Sequence, residues 1–225
     1  MKLKILAEGI IGAVAIAFTI LLSPLLRPWY RRWGASDEEA SRTLPGDDFV
    51  LKPKSELTMA IGVRAPAKAI WPWVVQIGCQ RGGWYSYDLL DNGGAPSAER
   101  IIPEYQDVEV GDIVKAMPKG DFGFPVAEIL PEKALVLAGT LDTRTGQPAD
   151  PNDPGLQAYF SGDQTFYIDE QGDGMSHLIF RMRIDWNPSL ANRLIYGYIV
   201  EPISFVMGRK TLLNVKRRAE SLAGS

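Results

Sequence analysis

Cysteine and histidine are the residues that this sequence has least of. Its 225 residues include one cysteine, Cys79, and one histidine, His177. A single cysteine cannot form a disulfide within the chain or a cysteine-based zinc or iron–sulfur site. A single histidine provides no histidine cluster for a metal, and we expect His177 to lie at the surface rather than act as a catalytic base. We therefore predict no metal site and no cofactor.

Signatures of phosphate and nucleic-acid binding are also missing. The glycine pair Gly82-Gly83 is too short to cradle a phosphate, and neither GxGxxG nor GxxxxGK[ST] occurs. The chain has 24 Lys and Arg against 27 Asp and Glu, a net charge of −3. That balance argues against a basic groove, so we predict no nucleic-acid partner.

A long apolar run opens the chain. Glu8 is the only charged residue between positions 5 and 26, and a helix of that length covers the ~30 Å hydrocarbon core of a bilayer. Lys2 and Lys4 would also suit a secretory signal peptide. Pro24 and Arg27 stand where a small-residue cleavage site should follow, so we expect an uncleaved anchor that crosses the membrane once.

Aromatic and basic residues follow the apolar run. Trp29, Tyr30 and Trp33 stand where an aromatic belt would meet the membrane surface, with arginines between them. We expect the protein to be located in the membrane with its folded domain in the cytoplasm. The predicted division is an anchor over 1–33, a polar lead-in over 34–56 and a folded domain over 57–225.

Hydrophobic alternation predicts a run of strands in that domain. Period-two patterns mark strands over 57–63, 112–117, 122–129, 133–139, 163–169 and 175–186. A short helix follows Ala65-Pro66, because proline suits the first turn of a helix. The longest helical pattern covers 188–222, and Pro202 is expected to kink or divide it. We predict an α+β fold of antiparallel strands and a long terminal helix.

Four local stretches carry a resemblance to a known family. They are Ala65-Pro66 leading into IWPWVVQIG at 70–78, RGGWYSYD at 81–88, RIIPEYQDVEVGD at 100–112, and EPISFVMGRKTLLNVKRRAE at 201–220. The chain resembles the START-like, or SRPBCC, superfamily in the branch related to polyketide cyclase and lipid-transfer proteins. The resemblance implies a helix-grip fold, in which a curved antiparallel sheet wraps around the terminal helix. It also implies a deep apolar cavity between the two.

The aromatic stretch after Gly83 is expected to shape that cavity. Trp84, Tyr85 and Tyr87 combine large apolar rings with polar groups, and the preceding glycines allow the backbone unusual conformations. The residues expected to contact a ligand are Trp84, Tyr85, Tyr87, Phe180, Met182, Ile184 and Tyr198. The candidates for acid–base catalysis are Tyr85, Tyr87 and Asp88, although each could instead tie the loop to the backbone.

Three functions remain open at this point. The favoured hypothesis is a membrane-tethered module that binds a hydrophobic small molecule, a lipid or an isoprenoid. An enzyme of the polyketide cyclase or dehydratase type is an alternative and is disfavoured, because the sequence contains no catalytic constellation. A scaffold with a filled cavity is the third. The sequence does not determine the ligand or the oligomeric state.

Overall fold

A six-stranded antiparallel sheet forms the centre of the fold. The structure, a computed structural model, describes residues 2–119 and 122–224. The strands lie in the order β1-β6-β5-β4-β3-β2. Their bounds are β1 (Ser55–Val63), β2 (Ile113–Lys115), β3 (Gly123–Leu130), β4 (Ala134–Asp142), β5 (Tyr159–Gly172) and β6 (Met175–Trp186). Each strand predicted from period-two alternation is therefore present.

Helices flank the sheet and precede it. They are α1 (Lys2–Tyr30), α2 (Asp37–Ser41), α3 (Ala67–Val75), α4 (Asp88–Asp91), α5 (Leu190–Leu194) and α6 (Glu201–Ala223), with a 3₁₀ turn at Pro103–Tyr105 and a π-helical segment at Ile195–Val200. Pro202 lies at the start of α6, directly after the π-helical segment. The helical backbone continues through Val200 and Glu201, so the helix changes type near Pro202 without a break. The architecture confirms the α+β helix-grip prediction.

The two faces of the sheet have different coverings. On β6, Phe180 and Met182 are buried on the inner face against α6, while the intervening Arg181 is buried on the outer face. The Arg181 guanidinium donates to the carbonyls of Glu39, Ala40 and Arg42. The polar lead-in therefore folds over the outer face and satisfies a buried cation with backbone oxygens.

Helix α6 lies close to the inner face of the sheet. A Cβ at Gly208 would stand 2.7 Å from Met59 Cε and 3.3 Å from Phe180 Cε1. Because only glycine leaves room for these neighbours, α6 approaches β1 and β6 at this point. Toward its end, Leu212 and Val215 are fully buried in the main core.

Helix α1 runs antiparallel to α6 and has two distinct faces. Gly9 and Gly12 are buried, and a Cβ at these positions would meet Leu89 and Tyr87. The opposite face exposes a stripe of large apolar side chains: Leu3, Leu6, Ile10, Val14, Phe18, Leu21, Leu25 and Trp29. By length and composition, α1 is the one helix in the described chain that could cross a membrane.

The end of α1 is tied to the domain by a buried carboxylate, Glu201. Its oxygens accept hydrogen bonds from Arg27 Nε at 2.8 Å, Arg31 Nη2 at 2.7 Å and Tyr30 Oη at 2.9 Å. The Ser55 hydroxyl also donates to it. Tyr30 itself is fully buried in the main core. The division of the chain at position 33 remains a prediction, but these contacts make the last turn of α1 part of the domain's packing.

Removing the Glu201 carboxylate should destabilise the fold strongly. Glu201→Ala leaves Arg27 and Arg31 without their shared partner, and breaking a buried ion pair costs roughly 3–5 kcal/mol. The control is Asp37→Ala, which removes an ion pair whose carboxylate is 97% exposed and should cost less than about 1 kcal/mol. Denaturant unfolding of the full chain in detergent measures both. Equal losses for the two variants would contradict the structural role of Glu201.

The same carboxylate should make stability depend on acid pH. Burial alone would raise the pKa of Glu201, but hydrogen bonds from Arg27, Arg31 and Ser55 outweigh it and lower the pKa from 4.5 to about 2. Its stabilising effect is therefore complete above pH 4.5 and is lost as the pH falls toward 2. The difference in unfolding free energy between wild type and Glu201→Gln should shrink over that interval. A difference in unfolding free energy that does not change with pH would contradict this role of the Glu201 carboxylate.

Candidate functional site

Two adjoining chambers lie between α6 and the inner face of the sheet. The first has a volume of about 170 Å³ and the second about 470 Å³. Phe124, Gln164, Met182 and Ser204 line both chambers, so the chambers meet at these residues. The first chamber is otherwise lined by the apolar residues Trp84, Ala116, Phe166, Phe180, Ile203 and Met207, and the second by Phe122, Leu141, Phe160, Ile184, Tyr196 and Val200.

Most polar groups on the walls are already bonded to the protein. Ser204 Oγ donates to the Val200 carbonyl, and Thr211 Oγ1 donates to the Trp84 carbonyl. The hydroxyl groups of Ser204 and Thr211 therefore donate their hydrogen bonds within the protein. Gln164 has no side-chain hydrogen bond to any other described residue, so its amide remains free where the chambers meet.

Asp91 is the one ionisable side chain among the residues lining the first chamber. It is the last residue of α4, and its Oδ1 is buried without a hydrogen-bond partner in the described chain. Burial first, and the nearby Asp88 second, raise the pKa of Asp91 to about 7. The group can therefore exchange a proton near neutral pH, and neutral and charged forms are both accessible.

A second buried carboxyl, Asp163, borders the other chamber but belongs to a different environment. It alternates with Gln164 along β5 and pairs in register with Arg183. Burial raises its pKa to about 8, and the charges that act on it are those of Arg183, Asp47, Arg181 and Glu56. These residues lie on the outer face under the lead-in, so the carboxyl of Asp163 points away from α6.

The aromatic stretch is positioned by a tight turn at Gly83. Its φ of +82° suits glycine, and a Cβ there would stand 2.3 Å from Ser97 Oγ. Trp84 lines the first chamber, with its Nε1 donating to the Ala116 carbonyl at 3.2 Å. The turn therefore delivers one of the predicted rings to the cavity.

The predicted acid–base candidates are directed elsewhere. Gln76 Nε2 donates to Tyr85 Oη at 2.7 Å, and burial raises the pKa of Tyr85 to about 12, so this hydroxyl stays protonated. Asp88 accepts from the Ser97 amide at 3.1 Å and from its hydroxyl at 2.5 Å. The ring of Tyr87 packs against Gly12 of α1. The geometry places Tyr85, Tyr87 and Asp88 outside both chambers, because Tyr85 and Asp88 are hydrogen-bonded within the domain and Tyr87 packs against α1.

The remaining predicted contact residues divide into two groups. Phe180 and Met182 line the first chamber, and Ile184 lines the second, as alternation along β6 predicts. Tyr198 lies in the π-helical segment and borders a separate depression beside Arg27 and Trp186. Tyr196 lines the second chamber instead. The π-helical segment changes the angular spacing between residues, so the α-helical spacing used for the prediction does not hold there.

The sequence patterns did not identify two of the cavity residues, Gln164 and Asp91. Gln164 shares its face of β5 with Phe166, so alternation could have identified it. Asp91 begins the turn signal Asp91-Asn92-Gly93-Gly94, which indicates a loop and nothing about a cavity. For metals, the described residues contain no group of three or more His, Cys, Asp or Glu side chains that could hold an ion. His177 is instead bonded to Glu39 through Nδ1 at 2.7 Å.

The known proteins that resemble this chain are solved structures of low sequence identity. No protein-family model matches the chain, and no curated protein matches it. Solved structures do match. A Mesorhizobium loti protein is 15% identical over 73% of this chain and 97% of its own, with a TM-score of 0.38. Norcoclaurine synthase of Thalictrum is 15% identical over 72% and 95%, with a TM-score of 0.38. The KanY protein is 10% identical over 75% and 99%, with a TM-score of 0.39.

The assignment of the fold follows from the arrangement itself. Six antiparallel strands in the order β1-β6-β5-β4-β3-β2 present their inner face to the terminal helix α6. The chain has a helix-grip fold. Fold does not determine function, so the function must be argued from the chambers and their walls.

Loss of the Asp88 carboxylate should affect stability and leave the chambers intact. Asp88→Asn replaces one acceptor of the Ser97 pair with a donor, which should cost about 1–3 kcal/mol. Asp107→Asn, at an exposed position, is the matched control and should change little. Denaturant unfolding of both full-length variants measures the effect. Equal stability of Asp88→Asn and wild type would show that the Ser97 contacts do not hold the loop.

Proposed function

We propose that the protein binds a hydrophobic small molecule, a lipid or an isoprenoid, in the two chambers beneath α6. The observation that carries the proposal is the pair of adjoining chambers with predominantly apolar walls. Pockets for small ligands typically have volumes of about 300–1,000 Å³ and a few free polar groups. The second chamber alone, at about 470 Å³, falls in that range. A scaffold with a filled cavity is correspondingly disfavoured.

We further propose that α1 holds this domain at a membrane as a single-pass anchor. Its outer stripe of large apolar residues, defined above, is unfavourable in water and suited to lipid. If α1 crosses the bilayer, the contacts of Gly9 and Gly12 with the domain must open while those of Arg27 and Arg31 with Glu201 remain. Tethering would keep the chambers at high effective concentration near ligands dissolved in the membrane.

The proposed orientation places the domain in the cytoplasm. Arg27, Arg31 and Arg32 follow the apolar run, and basic residues favour the cytoplasmic side of a span. Lys2 and Lys4 at the other end oppose this bias. Protease digestion of sealed membrane vesicles tests it, because a cytoplasmic domain is cut only in inside-out vesicles.

An acid–base enzyme is a second candidate, and Asp91 is the observation that favours it. A carboxyl with a pKa near 7 inside an apolar chamber can give and take a proton at neutral pH. The earlier candidates Tyr85, Tyr87 and Asp88 are bonded or packed elsewhere. With an identified substrate, unchanged turnover by Asp91→Asn would remove this candidate.

Filling the chambers should abolish ligand binding. Ser204 lines both chambers from α6, so Ser204→Phe places a ring where they meet. Binding of a neutral fluorescent probe, N-phenyl-1-naphthylamine, to the full chain in nanodiscs should weaken at least tenfold, because the apolar volume is occupied.

The matched control for this variant lies on the same helix. Ser221→Phe introduces the same ring at an exposed position and should leave probe binding unchanged. Circular dichroism confirms that both variants are folded. Native mass spectrometry of the delipidated chain, with a lipid extract added back, provides an independent test. If the wild type binds neither the probe nor any lipid, the proposed function is wrong.

A further inference from the structure

The first chamber has a polar end that the proposed function does not explain. Asp91 brings a carboxyl group to a wall otherwise formed by aromatic and aliphatic side chains. One of its oxygens, Oδ1, is buried and receives no hydrogen bond from any described residue. A buried acceptor without a partner costs roughly 1–3 kcal/mol, so folded proteins rarely contain one without a reason.

The fold offers this carboxyl few internal donors: the hydroxyl of Ser86 and the backbone amide of Asp91 itself act on it, and its Oδ1 has no partner in the described chain. The hydroxyl of Ser86, the polar neighbour on the same wall, is within 3.4 Å of Met207 Sδ. Thr211 and Ser204 donate to backbone carbonyls. The described lining of the first chamber includes no lysine, arginine or histidine. A ligand that donates a hydrogen bond could therefore satisfy Oδ1 of Asp91.

Gln164 extends the polar end toward the second chamber. It lines both chambers, and its amide has no bond to another described side chain or carbonyl. A ligand whose head reaches Asp91 would pass Gln164 and place its apolar tail in the second chamber. The arrangement fits an elongated amphiphile better than a compact hydrocarbon, because a hydrocarbon would leave both polar groups unsatisfied.

We propose that the cavity selects hydrophobic ligands whose head group donates a hydrogen bond, a hydroxyl or an ammonium, and that this head docks on Asp91 with Gln164 as its second contact. This inference rests on the proposed function. An anionic head would enter a chamber that has no cation on its described wall and would lie beside a carboxylate. The site therefore discriminates against anionic amphiphiles.

The protonation of Asp91 should set the strength of this selection. The charge that acts on it is that of Asp88 on its own helix. Burial raises the pKa of the nearby Cys79 thiol, so this group stays neutral. Above pH 7 the carboxyl is charged, so it attracts a cationic head and repels an anionic one. Below pH 7 it is neutral, and the preference for cations should fade.

Three probes with the same ten-carbon tail test the inference. Decanol, decylammonium and decyl sulfate keep their charges between pH 5.5 and 8.5, and each displaces N-phenyl-1-naphthylamine from the full chain in nanodiscs of zwitterionic lipid. Comparing variants in identical nanodiscs cancels the partitioning of each probe into lipid. At pH 8.5, wild type should prefer decylammonium to decyl sulfate by about tenfold more than Asp91→Asn does, as expected for one hydrogen bond to a charged group.

Asp107→Asn is the matched control, because it removes an exposed carboxylate outside the chambers and should keep the wild-type preference. Decanol binding by Asp91→Asn checks that its cavity is intact. A second measurement needs no variant: in wild type, the preference for decylammonium should rise by about tenfold between pH 5.5 and 8.5.

The outcomes separate this inference from the proposed function. If the wild type binds all three probes with no preference, or Asp91→Asn keeps the preference, the inference is wrong and the binding function stands. If Asp91→Asn does not fold, a flat pH profile in the wild type alone overturns the inference. If the dye binds to wild type but none of the three probes displaces it, the inference is wrong. If wild type binds neither the dye nor any lipid, the proposed function itself fails.

Discussion

The buried carboxylate of Glu201 is the constraint on which the rest of the structure depends. It is fully buried at the first position of α6, and a charge there is tolerable only with cationic partners. Arg27 and Arg31 supply them from α1, and Ser55 donates from the first residue of β1. One ion cluster therefore joins the apolar helix, the edge strand and the terminal helix.

The position at which α6 begins also determines where the cavity-lining residues of this helix lie. Ser204, Gly208 and Thr211 follow Glu201 at helical spacing, and all three line the first chamber. The close approach at Gly208 determines how far α6 stands from Met59 and Phe180. Ser204, one turn earlier, lies where the chambers meet. The volume available to a ligand is therefore determined by where one helix begins and by the one residue that lets it approach the sheet.

The sequence predicted the elements well and the polar site poorly, for physical reasons. Alternation along β6 identified Phe180, Met182 and Ile184 as inner-face residues, because side chains of a strand alternate regardless of tertiary detail. Tyr198 was misplaced by the π-helical segment, whose spacing no sequence period reveals. Whether Tyr85 or Asp91 faces the cavity depends on the path of a loop through Gly83, and that path is set by contacts distant in sequence.

Two buried carboxyl groups, those of Glu201 and Asp91, have opposite surroundings. Glu201 receives hydrogen bonds from arginines and a serine, and its pKa falls to about 2. Asp91 has a buried oxygen with no partner in the described chain, and burial raises its pKa to about 7. The first group is saturated by the protein and serves its stability. The second has an oxygen inside an apolar chamber that receives no hydrogen bond. Ionisable groups with shifted pKa values in such positions are often part of binding or catalytic sites. Asp91, rather than the aromatic residues that precede it, is therefore the residue to test for a role in function.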